Sequence, residues 1–296
     1  MKNKIISIAD TLGAIQTEDI IKSAVDLRAK CGTSKRNSVK IDLSSVKFID
    51  PYGLVSLCLL GKYLKCSYKK VNLVLSDDNT LQTYLNVMNF PILAGEYMSF
   101  GGAKFIESNV IHQSKSHVLL EITKVHSKAK NVDECIKACI SKISDILATE
   151  MKLKKQENSD ICSIISELCN NIRDHSENEG FIAVQKYHKS NGINFVVIGV
   201  GDLGIGIKNS LGKRYNISHW SHFDAILKSL KKGFSSLGDR GMGLHIVKNL
   251  IDKYSGQFHI RSGDTRIYLS GEYKTSFLGS YFPGTQISIR LNDKKS

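Results

Sequence analysis

Between residues 165 and 177 the chain reads ISELCNNIRDHSE, and two interleaved patterns in it demand an α-helix. Ile164, Leu168 and Ile172 recur every fourth residue, an apolar seam that a helix lays against a core. Glu167, Asn171 and His175 repeat at the same interval and stack on an adjacent face, with Asp174 beside them. A carboxylate in that row can take a proton from water or a substrate hydroxyl. An amide oxygen one turn later is a hard donor that suits Mg²⁺, which shares its shell with waters and phosphate oxygens. Taken alone, the row favours a plainer reading, a polar helix face with solvated side chains.

The segment GINFVVIGVGDLGIGI shifts that balance. Its apolar run from Ile193 to Val200 has the character of a buried strand, and it delivers Asp202 into a turn where Gly204 and Gly206 remove side chains beside a ligand. The same letters spell Gly-x-Gly-x-x-Gly through Gly199, Gly201 and Gly204, a dinucleotide-binding pattern. That rival needs a helix directly after the glycines and a second strand ending in an acid about 20 residues on. Asp224 stands at that distance, but in HFDAILKSLKK, whose apolar spacing is helical, and Gly206 would weaken the helix required. No Gly-x-x-x-x-Gly-Lys-Ser/Thr loop occurs. Further on, KKGFSSLGDRGMGLHIVKNLI leads Arg240, Gly241 and Gly243 into a helix with Leu244, Val247 and Ile251 on one side. Such a helix start offers unpaired N–H groups and a positive dipole end to phosphates. Arg240 can pair with a phosphate oxygen, and residues 207 to 240 are expected to form a mobile lid. The plainer reading of these glycines is a helix-entry turn with no ligand.

With the terminal FPGTQISIRL, which carries Gly284 and Thr285, these segments resemble in order the four boxes of the GHKL, or Bergerat-fold, ATPase and kinase superfamily. The resemblance implies ATP and Mg²⁺ as ligands. It places Glu167 as catalytic base, Asn171 on the metal, His175 toward the phosphates and Asp202 on the adenine amino group, with Gly204, Gly206, Arg240, Gly241, Gly243 and Thr285 around the nucleotide. A carboxylate, which only accepts hydrogen bonds, selects adenine over guanine, which presents a carbonyl there. Glutamate at the head of Glu-x-x-x-Asn-x-x-x-His is similar to the anti-sigma-factor serine kinases. His112, His117 and His126 fall in linker or strand-like sequence, which argues against a phosphohistidine relay. The stretch after Thr285 is too short for the transducer domain that topoisomerase and mismatch-repair relatives append.

The first hundred residues alternate differently. TEDIIKSAVDLRAKC has helical spacing, SVKIDLSSVKFID is strand-like, and Asp50 can cap a helix that starts at Pro51 and runs through LVSLCLLGKYLK. KVNLVLS then reads as a strand and TLQTYLNVMNF as a helix, so the segment is an α/β layer. Its strand, Asp-x-x-Gly turn and helix resemble a STAS domain, the fold of anti-sigma-factor antagonists. Phosphorylatable members carry serine or threonine just before the turn glycine; Tyr52 stands there, preceded by Pro51. A docking or regulatory role is expected, with a purely structural domain as the alternative. The expected organisation is a STAS-like α/β domain over 1–107, a polar linker over 108–117, and a Bergerat-fold α/β sandwich ATPase domain over 118–296, in which HVLLEIT is a strand and VDECIKACISKISDILATEM a helix.

Composition fits two globular units of ordinary hydrophobic content, 42% of 296 residues. No apolar run approaches a membrane span and no export signal heads the chain, so a cytoplasmic protein is expected. The seven cysteines are odd in number and read as reduced thiols; Cys135 and Cys139 share a helix face but lack a matching pair for zinc. The net charge of +13 is spread in small lysine groups without interleaved aromatics, which reads as a solvated surface rather than a nucleic-acid groove. The expected function is a Mg²⁺-ATP-dependent signalling protein that hydrolyses ATP or phosphorylates serine or threonine on a protein partner. A non-catalytic ATP-dependent interaction switch is the second reading and a basic nucleic-acid binder the third; a homodimer is compatible with the first two.

Overall fold

The computed structural model describes residues 4–8, 10–31, 36–76, 79–101, 118–128, 130–150, 154–176, 179–188, 194–234 and 243–292. The expected linker over 108–117 lies outside them. Two sheets organise the fold. Strands β1 (Lys4–Ser7), β3 (Arg36–Leu43) and β5 (Tyr68–Leu75) form a parallel sheet in the order β1-β3-β5. The short strands β2 (Thr11–Leu12) and β4 (Phe48–Ile49) pair beside it. Helices α1 (Thr17–Ala29), α2 (Pro51–Lys65), α3 (Asn79–Val87) and α4 (Phe90–Ala94) complete this half. The single helix expected over TLQTYLNVMNF is broken: Asn89 takes a left-handed φ of 56°, and the chain restarts with Pro91 in the first turn of α4. Proline there costs no intrahelical bond, whereas inside a continuous helix it would.

The second half is built on an antiparallel sheet in the order β6-β7-β8-β10-β9. Its strands are β6 (Val118–His126), β7 (Glu179–His188), β8 (Asn194–Asp202), β9 (Gln257–Ser270) and β10 (Tyr273–Asn292). Alternation along each strand decides what covers each face. Ile182 and Val184 of β7, Ile198 and Val200 of β8, Phe258 and Ile260 of β9, and Ile287 and Ile289 of β10 join one core with α5 (Val132–Glu150), α6 (Lys155–His175) and α9 (Gly243–Lys253). Helices α7 (Gly206–Gly212) and α8 (His222–Ser229) cap the β9 side of that face.

The opposite face meets α2. Phe181 and Ala183 of β7, with Phe282 of β10, belong to the core of the first half, and α2 lies across β7 and β8. This explains a helix that is apolar on every side: α2 sits between two sheets, and thirteen of its fifteen residues are buried. Its start is fixed as the sequence implies, with Asp50 Oδ1 accepting the Gly53 N–H at 2.8 Å and Pro51 in the first turn. Gly199 of β8 lies directly beneath, and a Cβ there would strike the backbone of Pro51 and Tyr52.

Candidate functional site

Helix α6 forms one wall of a cavity of about 270 Å³ whose other walls are the end of β8, the starts of α7 and α9, and β10. The helix turns its apolar seam, Ile164, Leu168 and Ile172, into the core, which leaves Glu167, Asn171 and His175 on the cavity side. Asp202, Gly206, Gly243 and Thr285 line the same space. Seven of the ten expected site residues thus converge from four distant stretches of sequence. Arg240 and Gly241 lie outside the described residues.

Asp202 is only 7% exposed. Burial pushes its carboxyl up to about 6, against the opposing effect of hydrogen bonds from the backbone N–H groups of Gly204 and Thr285. The Gly204 bond measures 2.6 Å to Oδ1. The position of Thr285 comes from an irregularity in β10, whose register against β9 shifts between Leu278 and Phe282 and again between Phe282 and Thr285. Within it Gly284 has φ +80°, and its missing Cβ lets the strand touch the Asp202 carbonyl. Two residues that sequence reasoning missed secure this junction. Gln286 donates from Nε2 to the Asp202 carbonyl and to the Pro283 carbonyl, both at 2.9 Å. Ser262 Oγ accepts the Ile207 N–H at 2.9 Å and donates to the Gly284 carbonyl at 3.0 Å, joining α7 to the bulge. Gln286 directly follows Thr285, but no spacing marks Ser262, whose role depends on strand register.

At the other end of the row, Glu167 meets the start of α9. A Cβ on Gly243 would lie 2.7 Å from Glu167 Oε2 and 3.7 Å from the Asn171 amide, so glycine is what permits the approach. Burial, and then the charge of Asp174, raises the Glu167 carboxyl above its ordinary range. Asp174 is itself held by Arg173, which also reaches Asp133 at 2.6 Å. Asn171 Nδ2 is buried in the cavity wall and has no hydrogen-bond partner among the described residues. An orphaned buried amide calls for a ligand. Asn171 can give an oxygen to a hard cation and an N–H to a phosphate oxygen, so this donor set fits a magnesium-bound phosphate chain.

Three expectations change. His175 does not share the Glu167 end: its Nδ1 lies 3.1 Å from Ser210 Oγ, its backbone abuts Gly204, and burial lowers its pKa. Eight residues of helix separate it from Glu167, about 12 Å of rise, so it belongs with Asp202 as a neutral ring. Gly204 is absent from the cavity wall; a Cβ on it would press on the His175 carbonyl and Ser176, so it serves the packing of the turn against the end of α6. The expected lid over 207–240 is in large part a fixed wall, because Leu211 of α7 and Ala225 and Ile226 of α8 are buried in the main core. Residues 235–240 of it lie outside the described ones.

Residues 156–295 match the sequence model of the family described as histidine kinase-, DNA gyrase B-, and HSP90-like ATPase. This stretch is an ATPase domain of that type. It contains every residue of the cavity row, while β6 and α5, which complete its sheet and helical layer, precede it. Such domains bind ATP. Among solved structures the chain is similar to a mycobacterial sensor histidine kinase, MprB, at 22% identity and a TM-score of 0.28, over 47% of this chain and 74% of that one. No curated protein matches it. No helix among the described residues is long and apolar enough to cross a membrane.

Proposed function

We propose that the chain is a Mg²⁺-ATP-dependent signalling protein that hydrolyses ATP or transfers its γ-phosphate to a serine or threonine of a partner protein, in the manner of anti-sigma-factor kinases. The observation that carries this is the polarity of the cavity: a buried carboxylate at one end and a raised carboxylate with an orphaned amide at the other. Asp202 would accept the adenine amino hydrogen, with the Thr285 turn fixing its carboxylate. Asn171 would hold magnesium, which when bound neutralises charge on the phosphates. The start of α9 at Gly243 presents its N–H groups where the phosphate chain would end. Glu167, beside that point, would accept the proton of the attacking water or hydroxyl; its raised pKa moves it toward the range in which a base works at neutral pH.

The first half acts in this reading as a docked regulatory domain of STAS-like build. Tyr52, at the position where phosphorylatable relatives carry a hydroxyl, is 1% exposed and edge-on to His259 at 5.4 Å, so it is packed rather than offered for modification. Calorimetry with ATP and GTP, with and without Mg²⁺, followed by analysis of phosphate release and phosphoprotein, tests the whole. Magnesium-dependent preference for ATP with turnover is expected. ATP binding without any turnover would leave the interaction-switch reading in its place, and no preference for ATP over GTP would remove both.

A further inference from the structure

A second cavity, of about 750 Å³, opens on the opposite face of the five-stranded sheet, where the β9–β10 ribbon and the loop before α1 meet. Its size suits a mononucleotide or a similar organic molecule. Its lining is mainly apolar and aromatic, but it is interrupted by a few buried polar atoms. His259 is 7% exposed, lines the cavity, and among the described residues has no hydrogen-bond partner at either ring nitrogen. A neutral imidazole offers one donor and one acceptor, the complement of an amide-like edge on a heterocycle. Burial, reinforced by the charges of Arg266 and Arg261, pushes its pKa down to about 3, so it stays neutral.

Two guanidiniums share the cavity. Arg290 and Arg266 each have a buried Nε without a hydrogen-bond partner among the described residues. Among the described residues no carboxylate lies within ion-pairing distance of Arg290, and Arg266 reaches only Glu18, at 3.8 Å, which Arg261 already engages at 3.2 Å. Both side chains are half-buried, so their inward Nε groups gain little from water, and guanidinium is the group that best receives a phosphate or carboxylate. The remaining wall is flat and aromatic. Tyr187 stacks on Phe195 at 15° from β7, and the Arg290 guanidinium lies 3.8 Å from the same ring from β10, on the other side of β8. Such a stack ends in a face that takes another planar ring.

We infer that this cavity is a second ligand site, separate from the Asp202 pocket, built for a heteroaromatic anion of mononucleotide size: the ring against Arg290 and His259, the anionic group on Arg290 and Arg266. It does not rest on the ATP reading. The test is calorimetry on the full chain with AMP, GMP, CMP and UMP, each to about 5 mM, a range that detects even weak sites. At least one should bind with Kd below about 1 mM, and Arg290→Ala and Arg266→Gln should each weaken it about tenfold or more. Tyr273→Ala, at a wall residue 61% exposed and outside the core, should weaken the same nucleotide measurably with the fold retained by circular dichroism, while Asp202→Asn leaves its affinity unchanged. Failure of all four to bind overturns the inference. So does binding that survives Arg266→Gln and Tyr273→Ala, or that is lost in Asp202→Asn.

Discussion

Asp202 shows what a buried carboxylate costs its fold. Its carboxyl is raised from 3.8 to about 6 by burial, so ionising it in the folded protein costs about 3 kcal/mol more than in the unfolded chain. The folded form binds the proton more tightly than the unfolded one, so this residue's contribution to stability falls as pH rises between about 4 and 6 and is level above that. Asp202→Asn should remove that slope, read as the difference between the two proteins' unfolding free energies across pH 4 to 7, roughly the range the shift spans. The same substitution should lower ATP affinity about tenfold to a hundredfold, because the adenine amino group loses a charged acceptor. An unchanged ATP affinity would detach Asp202 from the base. At the other end of the pocket, Glu167→Ala should cut phosphate release or transfer about a hundredfold or more with little change in ATP affinity, in steady-state turnover against calorimetric Kd. Loss of binding alone would make Glu167 a positioning residue.

The elements were legible in proportion to how one-sided they are. Helix α6 exposes one face and buries the other, so its period was plain, and α2 was located by its Asp50 cap and Pro51 start although it has no polar face at all. Strand β7 leaves no period in the sequence because both of its faces are covered: Gly180 to Val184 are buried without a break, which erases the alternation that marks a half-exposed strand. The β9–β10 ribbon hid for the opposite reason, since its register shifts interrupt the period at the point that shapes the pocket. The glycines were readable as special positions but not for their purpose: Gly204 and Gly206 serve contacts with His175, Ser262 and Gly284 rather than space for a ligand alone. Gly284 gives the test at this scale. Alanine there meets a φ of +80° and the Asp202 carbonyl together, and should cost about 2 kcal/mol or more, seen as a lowered denaturant midpoint, with weaker ATP binding as Thr285 moves. A variant with native stability and affinity would show that the bulge does not hold the pocket.

At the scale of the whole molecule the sequence divides the chain into two units, yet α2 binds their sheets into one stack. The covered face of the five-stranded sheet has a groove of glycines, Gly199 and Gly201 of β8, into which Pro51, Val55 and Leu59 settle. That pairing could not be read from either segment, because each glycine is legible only when its partner helix is known. Beside the groove, Glu179 accepts hydrogen bonds from Lys62 of α2 at 2.8 Å and from the Tyr97 hydroxyl. Burial alone would raise its carboxyl, but those two bonds and the charges of Lys62 and Lys124 outweigh it and hold the pKa below the ordinary range. Glu179 adjoins Gly180, which pairs with Asp202 across β7 and β8, so the seam and the Asp202 end of the pocket share one stretch of sheet. Gly199→Val would drive two methyls into the backbone of Pro51 and Tyr52 and prise α2 from β8. The expected result is a loss of about 2 to 3 kcal/mol, faster proteolysis within residues 1–107, and an altered ATP affinity if the docked half tunes the pocket. Lowered stability with unaltered ATP affinity would make the first half a structural support, and native stability would show that α2 does not bear on Gly199 in solution.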